Sequence, residues 1–338
     1  MKAYVGIDLH STNSVIGIID EENKQLFLKK LPNKLEQILL VLEEFKKIII
    51  GIVVESTYNW YWLVDGLIEN NYKVHLANPF GNIQYSGLKH SDDKKDSLWL
   101  ANLLRLNILK EGYIYPKMER PVRDLLRRRV MFVQQRTAQI LSFQSMITRN
   151  LWIKKTSNEI KKMKPEEAIT LFDDQHLLVM ARCYLAMINN LTTQIRIMEE
   201  EIKGVAKFKK EFEYLLTITG IGNILALTIM FEVGDISRFI KAWDYSSYCR
   251  YVSSIRTSND KKKGEGNRKN GNRYLSWAYV KAANFSRRYS EESQRFYQRK
   301  KSKTNEIVAT KSLANKLARA PYYIMRDKVP YDPEKFFK

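Results

Sequence analysis

Apolar and polar residues in the first third of the chain follow the pattern of short strands separated by helices. Apolar runs, several of them rich in valine and isoleucine, predict five strands, over residues 3–9, 14–20, 24–31, 48–55 and 73–78. Apolar residues at helical spacing predict three helices, over residues 34–47, 60–69 and 93–109. The first three strands are close enough for an antiparallel meander, whereas the strand–helix–strand order that follows predicts a parallel pair. We therefore expect an α/β fold with a mixed sheet flanked by helices.

Two long helices, with no strand between them, are predicted for the middle of the chain. Apolar residues recur at helical spacing over 120–155 and again over 177–207. Pro165 marks the start of a short helix between them. Long, charged helices joined in this way are typical of an antiparallel coiled-coil arm or a dimer interface, although plain packing of the apolar side chains produces the same pattern.

The last part of the chain, residues 211–338, is predicted to be mainly helical. Gly220 and Gly222 precede an apolar helix, as in the turn of a helix–hairpin–helix motif, whose backbone N–H groups meet phosphate. Residues 253–273 contain seven Lys or Arg and almost no large apolar residue, which predicts an exposed loop. The changes in pattern predict three domains, over residues 1–118, 119–210 and 211–338.

Basic residues outnumber acidic ones by 57 to 37 among the 338 residues, which gives a formal net charge of +20. A charge of this size favours a polyanionic partner, although a lysine-rich proteome would produce it too. The basic residues are clustered, so we expect contacts to the backbone of a nucleic acid. The candidate nucleic-acid contacts are Arg127, Arg128, Arg129, Gly220, Gly222, Arg256, Lys261, Lys262, Lys263, Arg268, Lys269 and Arg273.

The cysteine content and the hydropathy of the sequence indicate the cellular compartment in which the protein is expected. Two cysteines, Cys183 and Cys249, are too few for a disulfide framework and indicate a reducing compartment. The sequence begins directly with a strand pattern, so we expect no signal peptide. It has no apolar run of about 18 residues that would span a membrane, and the expected location is cytoplasmic.

Four acidic residues lie at positions where an ionised carboxylate destabilises the fold unless a cation neutralises it. Asp8 and Glu55 each end an apolar strand, and the C-terminal ends of neighbouring parallel strands share one edge of a sheet. Asp93 and Asp96 lie three residues apart on a helix and so share one face. Taken singly, each has a simpler explanation, as a turn-capping carboxylate, a strand-ending surface acid or an acid at a helix N-terminus. Together the four predict a site for a divalent metal ion.

The same residues carry a resemblance to a known family. The DEDD signature of transposases with a RuvC-type domain resembles four segments of this chain, in the same order: Asp8 in GIDLH, Glu55 in VVEST, Asn78–Pro79, and Asp93-x-x-Asp96. In the C-terminal part, TITGIGNILALTIMFEVGDISRF resembles the family's GIG…A…E-G-D…RF segment, and NGNRYLSWAYVKAA resembles its GN…L…AA helix. The resemblance covers nearly the whole chain. The family includes recombinases guided by a bridge RNA and pilin-gene invertases.

This resemblance implies a fold, a reaction and partners. The fold it implies has a ribonuclease H-like, RuvC-type sheet domain, a long coiled-coil arm and a mainly α-helical transposase domain. It implies that the four carboxylates hold Mg²⁺, which Mn²⁺ can replace, as two ions about 4 Å apart. It also implies that a serine attacks DNA to form a covalent intermediate. The implied partners are donor and target DNA, a guide RNA encoded by the element, and further copies of the chain in a homodimer or homotetramer. The implied location is the bacterial cytoplasm, at the nucleoid during action.

Ser258 is the residue that the family's register assigns as the nucleophile. The family usually has GLxP before this serine and SG at it, whereas this chain has RYVS at 250–253 and Ser258-Asn259. Ser253 and Ser254 are therefore alternative nucleophiles. No histidine stands near Ser258 in the sequence, so a metal or another cation would have to activate it.

Three other functions are consistent with parts of the pattern. A hydrolytic nuclease of the resolvase or ribonuclease H type would use the same carboxylates with water as the nucleophile, and the serine would be irrelevant. An actin-like kinase would share the two strands around Asp8, but it needs a second strand-end aspartate and glycine-rich adenosine loops where this chain has a basic loop. A non-catalytic nucleic-acid-binding protein predicts that Asp8→Ala leaves all activity unchanged.

Overall fold

The computed structural model describes residues 1–79, 81–82, 93–205, 210–252, 255–265 and 270–337. The chain forms two compact units, Met1–Lys117 and Met118–Lys338. The division lies one residue from the predicted boundary after residue 118, while the predicted boundary after residue 210 lies inside the second unit. Within the described ranges, no helix combines the length and the apolar content that crossing a membrane requires.

A five-stranded mixed sheet forms the centre of the first unit. Its strands are β1 (Ala3–Leu9), β2 (Asn13–Asp20), β3 (Gln25–Pro32), β4 (Ile49–Glu55) and β5 (Val74–Ala77). They lie in the order β3-β2-β1-β4-β5. The first three form an antiparallel meander, and β4 runs parallel to both β1 and β5. The predicted α/β architecture with a mixed sheet is confirmed.

Helices cover both faces of this sheet. They are α1 (Leu35–Phe45), α2 (Tyr61–Glu69) and α3 (Asp93–Arg105). Apolar side chains of α1 and α2 pack on one face, and Leu100 of α3 packs on the other. Because both faces are covered, β1 is buried along nearly its whole length instead of alternating. α3 ends before the predicted residue 109, since Asn107 adopts the left-handed backbone (φ 55°) that terminates helices.

The second unit begins with the two predicted long helices. Its first helices are α4 (Arg120–Leu151), α5 (Ser157–Lys162), α6 (Pro165–Ile169) and α7 (Gln175–Val205). α4 and α7 run antiparallel, because Arg129 contacts Glu199 near one end and Ser142 contacts Tyr184 towards the other. Apolar side chains seal the outer part of this pair, among them Phe143. The opposite ends of both helices belong to the core of the remaining helices, so the pair does not separate as a third unit.

The rest of the second unit is helical, with one hairpin. Its elements are α8 (Lys210–Leu216), α9 (Asn223–Val233), α10 (Ala242–Tyr248), β6 (Ile255–Ser258), β7 (Lys261–Glu265), α11 (Arg273–Tyr289), α12 (Glu291–Lys301), α13 (Glu306–Asp327) and α14 (Pro333–Phe337). The hairpin corrects the prediction of a loop over 253–273 in part, because residues 255–258 and 261–265 form strands, while Ser258, Lys261 and Lys263 are exposed as predicted. Asn259 and Asp260 both adopt a left-handed backbone (φ 50° and 56°), as a two-residue hairpin turn requires.

Candidate active site

Asp8 and Glu55 lie side by side at the C-terminal edge of the sheet. The last paired residues of the parallel strands β1 and β4 are Ile7 and Val54, so the next residue on each strand is one of the two carboxylates. Asp8 is only 4% exposed, and its carboxyl group hydrogen-bonds to Glu55. Two adjacent carboxyl groups in a buried place are costly unless a proton or a cation joins them.

Helix α3 brings the other two predicted carboxylates to the same edge. Asp93 and Asp96 occupy its first turn. The Asp93 carboxylate lies within 4.8 Å of an Asp8 oxygen, and the charge of Asp96 is close enough to raise the pKa of Asp8. Two strands and one helix, far apart along the sequence, therefore bring Glu55 into hydrogen-bond contact with Asp8, Asp93 within 4.8 Å of it, and the charge of Asp96 near enough to act on it.

Glycines in the sheet allow α3 to approach this closely. A Cβ atom added to Gly6 of β1 would lie 2.0 Å from the backbone oxygen of Ser97 and 2.7 Å from the backbone nitrogen of Ala101. A Cβ atom at Gly17 of β2 would lie 2.9 Å from the Ser97 hydroxyl oxygen. The backbone of α3 therefore packs directly against the backbone of the sheet. This contact fixes how far Asp93 and Asp96 lie from the sheet, and so from Asp8.

We expect Gly6→Ala to displace α3 and disturb the carboxylate cluster. The added methyl group overpacks this contact and should destabilise the first unit by about 1–3 kcal/mol. It should also weaken the thermal stabilisation that Mn²⁺ gives. The matched control is Gly112→Ala, where the added Cβ atom meets nothing nearer than 3.5 Å. Thermal unfolding of both variants with and without Mn²⁺ measures the two effects, and equal behaviour of the two would contradict this role of Gly6.

His10 is a residue of this cluster that the sequence analysis did not single out. Its Nε2 atom lies 3.1 Å from Oδ2 of Asp8 and 3.3 Å from Oδ2 of Asp93. Neither contact has the alignment of a hydrogen bond, and no other described residue hydrogen-bonds to this nitrogen. The backbone oxygen of His10 accepts hydrogen bonds from the amides of Asn33 and Asn59, which hold it in place. An imidazole nitrogen and two carboxylate oxygens therefore surround one gap.

The electrostatics of this cluster fit a divalent cation. Burial raises the pKa of Asp8 to about 7. The charge of His10 opposes this rise, whereas the hydrogen bond and charge of Glu55 and the charge of Asp96 add to it. When no metal ion is bound, a carboxyl group with this pKa takes up a proton, which neutralises one negative charge of the cluster. A bound cation would neutralise that charge in place of the proton. The donor set, mostly carboxylate oxygen with one imidazole, suits a divalent metal.

Ser258 lies at the end of β6, in the second unit. It pairs with Lys261 across the hairpin, directly before the turn. Ser258, Lys261 and Lys263 are all exposed. No described side chain hydrogen-bonds to the Ser258 hydroxyl. The arrangement presents a serine beside basic side chains at the tip of a hairpin.

The segment that carries this hairpin is closed at its base. The backbone N–H of Asn272 donates to the backbone oxygen of Tyr248, 2.6 Å away, at the end of α10. The side chain of Arg250 donates to the backbone oxygen of Gly271 at 3.0 Å. The side-chain oxygen of Asn272 then caps α11 by accepting from the N–H groups of Tyr274 and Leu275. These hydrogen bonds therefore hold the two ends of the segment together at the start of α11.

Glu232 is a buried carboxylate at this base. It is 1% exposed and accepts hydrogen bonds from Arg123 at 3.2 Å, from Arg127 at 2.5 and 2.7 Å, and from the Asn272 amide at 2.6 Å. Burial raises the pKa of Glu232, but the hydrogen bonds and charges of these partners outweigh it and leave the pKa below its usual value. One ionised carboxylate thus links α4, α9 and the cap of α11. No pattern in the sequence indicated this pairing.

The arginine run at the start of α4 is divided between structural and surface positions. Arg127 is bound to Glu232, and Arg129 donates to Glu199 at 2.9 Å and 2.5 Å. Arg128 is exposed. Two of these three predicted nucleic-acid contacts, Arg127 and Arg129, therefore form ion pairs with carboxylates of the same unit.

The two glycines before α9 differ in their surroundings. Gly220 has a positive φ of 99°, and a Cβ atom there would lie 2.5 Å from the backbone oxygen of Ala282 on α11. Gly222 caps α9, is exposed, and has open space around its Cα. Close helix packing therefore accounts for Gly220, whereas Gly222 leaves the start of α9 accessible.

The remaining predicted contacts fall into two groups. Lys261, Lys263 and Arg273 are exposed. Arg268, Lys269 and the side chains of Arg256 and Lys262 lie outside the described residues, as do the alternative nucleophiles Ser253 and Ser254.

Two family models match the chain. One, of IS110-type DEDD transposases and described as a transposase, matches residues 5–150, which include all four carboxylates. The other, described as a transposase of the IS116/IS110/IS902 family, matches residues 212–298, which include Glu232 and Ser258.

A curated relative agrees with these matches. The transposase for insertion sequence element IS1111A of Coxiella burnetii is 26% identical over 170 residues. The aligned part covers 49% of this chain and 46% of the relative, so the chain spans about half the length of that protein. The resemblance seen in the sequence, the two family models and this relative agree: the chain belongs to the IS110 family of DEDD transposases.

Proposed function

We propose that this chain is a site-specific DNA recombinase, which cuts and rejoins DNA strands to move its insertion sequence. The observation that carries this proposal is the group of Asp8, His10 and Asp93 at one sheet edge, with Glu55 hydrogen-bonded to Asp8 and the charge of Asp96 acting on it. The net charge of +20 and the membership of a transposase family support DNA as the substrate.

In this proposal Asp8, Glu55, Asp93 and Asp96 hold two Mg²⁺ ions, which Mn²⁺ can replace. Lewis-acid stabilisation of the scissile phosphate, and of charge on the attacking and leaving oxygens, is the chemistry that such ions supply when bound. Asp8 is fixed by burial, while Asp93 and Asp96 are held at their height by the contact of α3 with Gly6. Nε2 of His10 lies beside both the Asp8 and the Asp93 carboxylates, so it can offer one further ligand atom to a metal ion there.

Ser258 is the proposed nucleophile. Its Oγ forms a bond to the phosphorus of the scissile phosphodiester, and the bond from that phosphorus to one deoxyribose oxygen breaks. The serine proton passes to solvent, and the leaving oxygen takes a proton to become a hydroxyl. A deoxyribose hydroxyl of another strand then attacks the same phosphorus and releases the serine. The number of phosphodiester bonds is conserved, so strands rejoin without ATP.

The proposed partners are donor and target DNA, and a guide RNA encoded by the same element. The exposed basic side chains of the hairpin support contact with a nucleic-acid backbone. The antiparallel pair of α4 and α7 is proposed to act as a coiled-coil arm in a homodimer or homotetramer. Ser258 of one copy would then serve the carboxylates of another, which restrains cutting until the copies assemble. The reaction takes place in the bacterial cytoplasm, at the nucleoid.

Trapping a protein–DNA adduct tests the recombinase proposal. Denaturing a reaction of the protein with its element's RNA, donor and target DNA and Mg²⁺ is expected to leave DNA covalently attached to protein. Ser258→Ala should abolish this adduct, whereas Thr257→Ala, an exposed neighbour on the same strand, should retain it. Loss in Ser253→Ala or Ser254→Ala instead would transfer the role to that serine. Free DNA ends without any adduct in the wild type would contradict the proposal and indicate a hydrolytic nuclease.

A further inference from the structure

A cleft of about 520 Å³ opens on the second unit between α4 and the start of α11. This volume lies in the range of small-ligand sites. Guanidinium groups and flat aromatic rings share its lining, which includes Arg127, Arg128, Arg273, Tyr274 and Trp277. The combination is unlike a purely electrostatic surface, because a bare phosphate group gains nothing from an aromatic wall.

Two of the arginines, Arg128 and Arg273, can pair with an anionic ligand. Arg128 and Arg273 are exposed, and neither forms an ion pair with any described carboxylate. Arg127 is already neutralised by Glu232. Asp124 also lines the cleft and offers an acceptor, but it offsets only one positive charge.

The aromatic rings are held in place before any ligand arrives. The Tyr274 ring lies 4.6 Å from the guanidinium group of Arg127 and 4.9 Å from that of Arg273, which also donates a hydrogen bond to the Tyr274 hydroxyl at 2.8 Å. Trp277 lies three residues further on α11, on the same face, and is half-buried. The first N–H groups of α11 are already capped by Asn272, so an anion in the cleft would be bound by the arginines.

We propose that this cleft binds one unpaired nucleotide of a nucleic-acid strand. The base stacks on Trp277, and the adjoining phosphates contact Arg128 and Arg273. A duplex offers no such partner, since its base faces are already stacked on one another. The inference rests on the proposed function in taking the partner to be a nucleic acid. RNA and DNA share the chemistry that the cleft recognises.

Binding of short single strands to the full chain tests this site. Fluorescence anisotropy with labelled single-stranded RNA, single-stranded DNA and a duplex of the same sequence gives the three dissociation constants. Trp277→Leu is expected to weaken single-strand binding about tenfold and to leave duplex binding unchanged. Trp277→Phe, which keeps a flat ring, should retain most of the affinity. The control is Trp243→Leu, which removes a tryptophan that is 60% exposed on α10 and outside the cleft.

A second readout separates stacking from loss of folding. Strands carrying 5-iodouracil should cross-link on irradiation to the peptide that contains Tyr274 and Trp277. Arg128→Gln should reduce the salt dependence of single-strand binding by about 0.7 in slope, with the cross-link retained. Stronger binding of RNA or of DNA would identify the source of the nucleotide, and either supports the site.

Equal weakening by Trp277→Leu and Trp243→Leu, or cross-links only outside the cleft, would overturn the proposal. Asp96→Asn distinguishes this failure from failure of the recombinase function. That variant should bind single strands as the wild type does, while it loses strand cleavage. If Trp277→Leu binds normally and Asp96→Asn still loses cleavage, the cleft is refuted and the recombinase proposal stands.

Discussion

Replacing Asp96 with asparagine is expected to lower the rate of DNA strand cleavage by about 10²- to 10⁴-fold. The substitution keeps the shape of the side chain but removes one negative charge from the carboxylate cluster, and metal-assisted stabilisation of a phosphoryl-transfer transition state is worth several kcal/mol. The assay combines the protein with its element's RNA, donor and target DNA and Mg²⁺, and measures joined product and adduct over time. Glu44→Gln, an exposed carboxylate on α1, is the matched control and should have the wild-type rate. A wild-type rate for Asp96→Asn would contradict the proposed chemistry.

Asp8→Asn should separate activity from stability. In the absence of a cation, the raised pKa of Asp8, about 7, means that the folded chain binds this proton more tightly than the unfolded chain. Stability is therefore lost as the pH rises from the usual carboxyl value towards 7, and it stays lost above it. Asparagine cannot ionise, so Asp8→Asn should be more stable than the wild type at about pH 8 without metal. Saturating Mn²⁺ should stabilise only the wild type, and only the wild type should cleave DNA.

Glu232→Ala is expected to destabilise the second unit by about 3–5 kcal/mol, because it leaves two arginines without their buried partner. Arg123 is 7% exposed and cannot turn to solvent easily. The Asn272 cap would also lose its anchor, so hydrogen exchange should increase at the start of α11 as well as in α9. Urea unfolding and hydrogen exchange of the full chain measure both effects.

The matched control is Glu199→Ala, which breaks the ion pair of Arg129 at a more exposed position and should cost about 0–1 kcal/mol. Because the folded pKa of Glu232 is lowered, its stabilising contribution is fully present above the unfolded carboxyl pKa. It is lost as the pH falls through the lowered folded value. The difference between wild type and Glu232→Ala should therefore shrink in acid. Equal unfolding free energies for the two alanine variants at neutral pH would refute the role of Glu232.

The fold of the first unit was predictable because its signals are local. Valine and isoleucine runs of strand length, with a polar turn after Asp8, determine the meander. The order of strands and helices then determines the parallel pairs. The helix ends at Asn107 and Trp152 were missed, since a left-handed residue at a helix end is a matter of backbone conformation with only weak sequence preference (φ 55° and 58°). The hairpin of β6 and β7 was missed because its basic residues mask a short strand pattern, although the Asn-Asp pair at its turn was a usable signal.

Side-chain partners were harder to predict than elements. The acidic quartet was recognisable from strand ends and helix spacing; Asp93 lies within 4.8 Å of Asp8, and Glu55 and Asp96 act on Asp8 through a hydrogen bond and through charge. His10 had a local signal, since residues two apart at the end of a strand point to the same side, but the sequence did not indicate that Asp93 would reach it. Arg127 and Arg129 belong to a run of positive charges that favours nucleic-acid binding. Each of them nevertheless pairs with a carboxylate at least 70 residues away in the chain. Such pairs depend on tertiary packing, which a charge pattern does not encode.

The most direct test of the account is a crystal structure with Mn²⁺ and its anomalous scattering. The account predicts anomalous peaks between β1, β4 and α3, with carboxylate oxygens of Asp8, Glu55, Asp93 and Asp96 at distances typical of a hard divalent ion, about 2.0–2.3 Å. The same peaks should be absent from crystals of Asp8→Asn. Manganese bound elsewhere, or no peak at this sheet edge at saturating Mn²⁺, would contradict the claim that these four side chains form a metal centre.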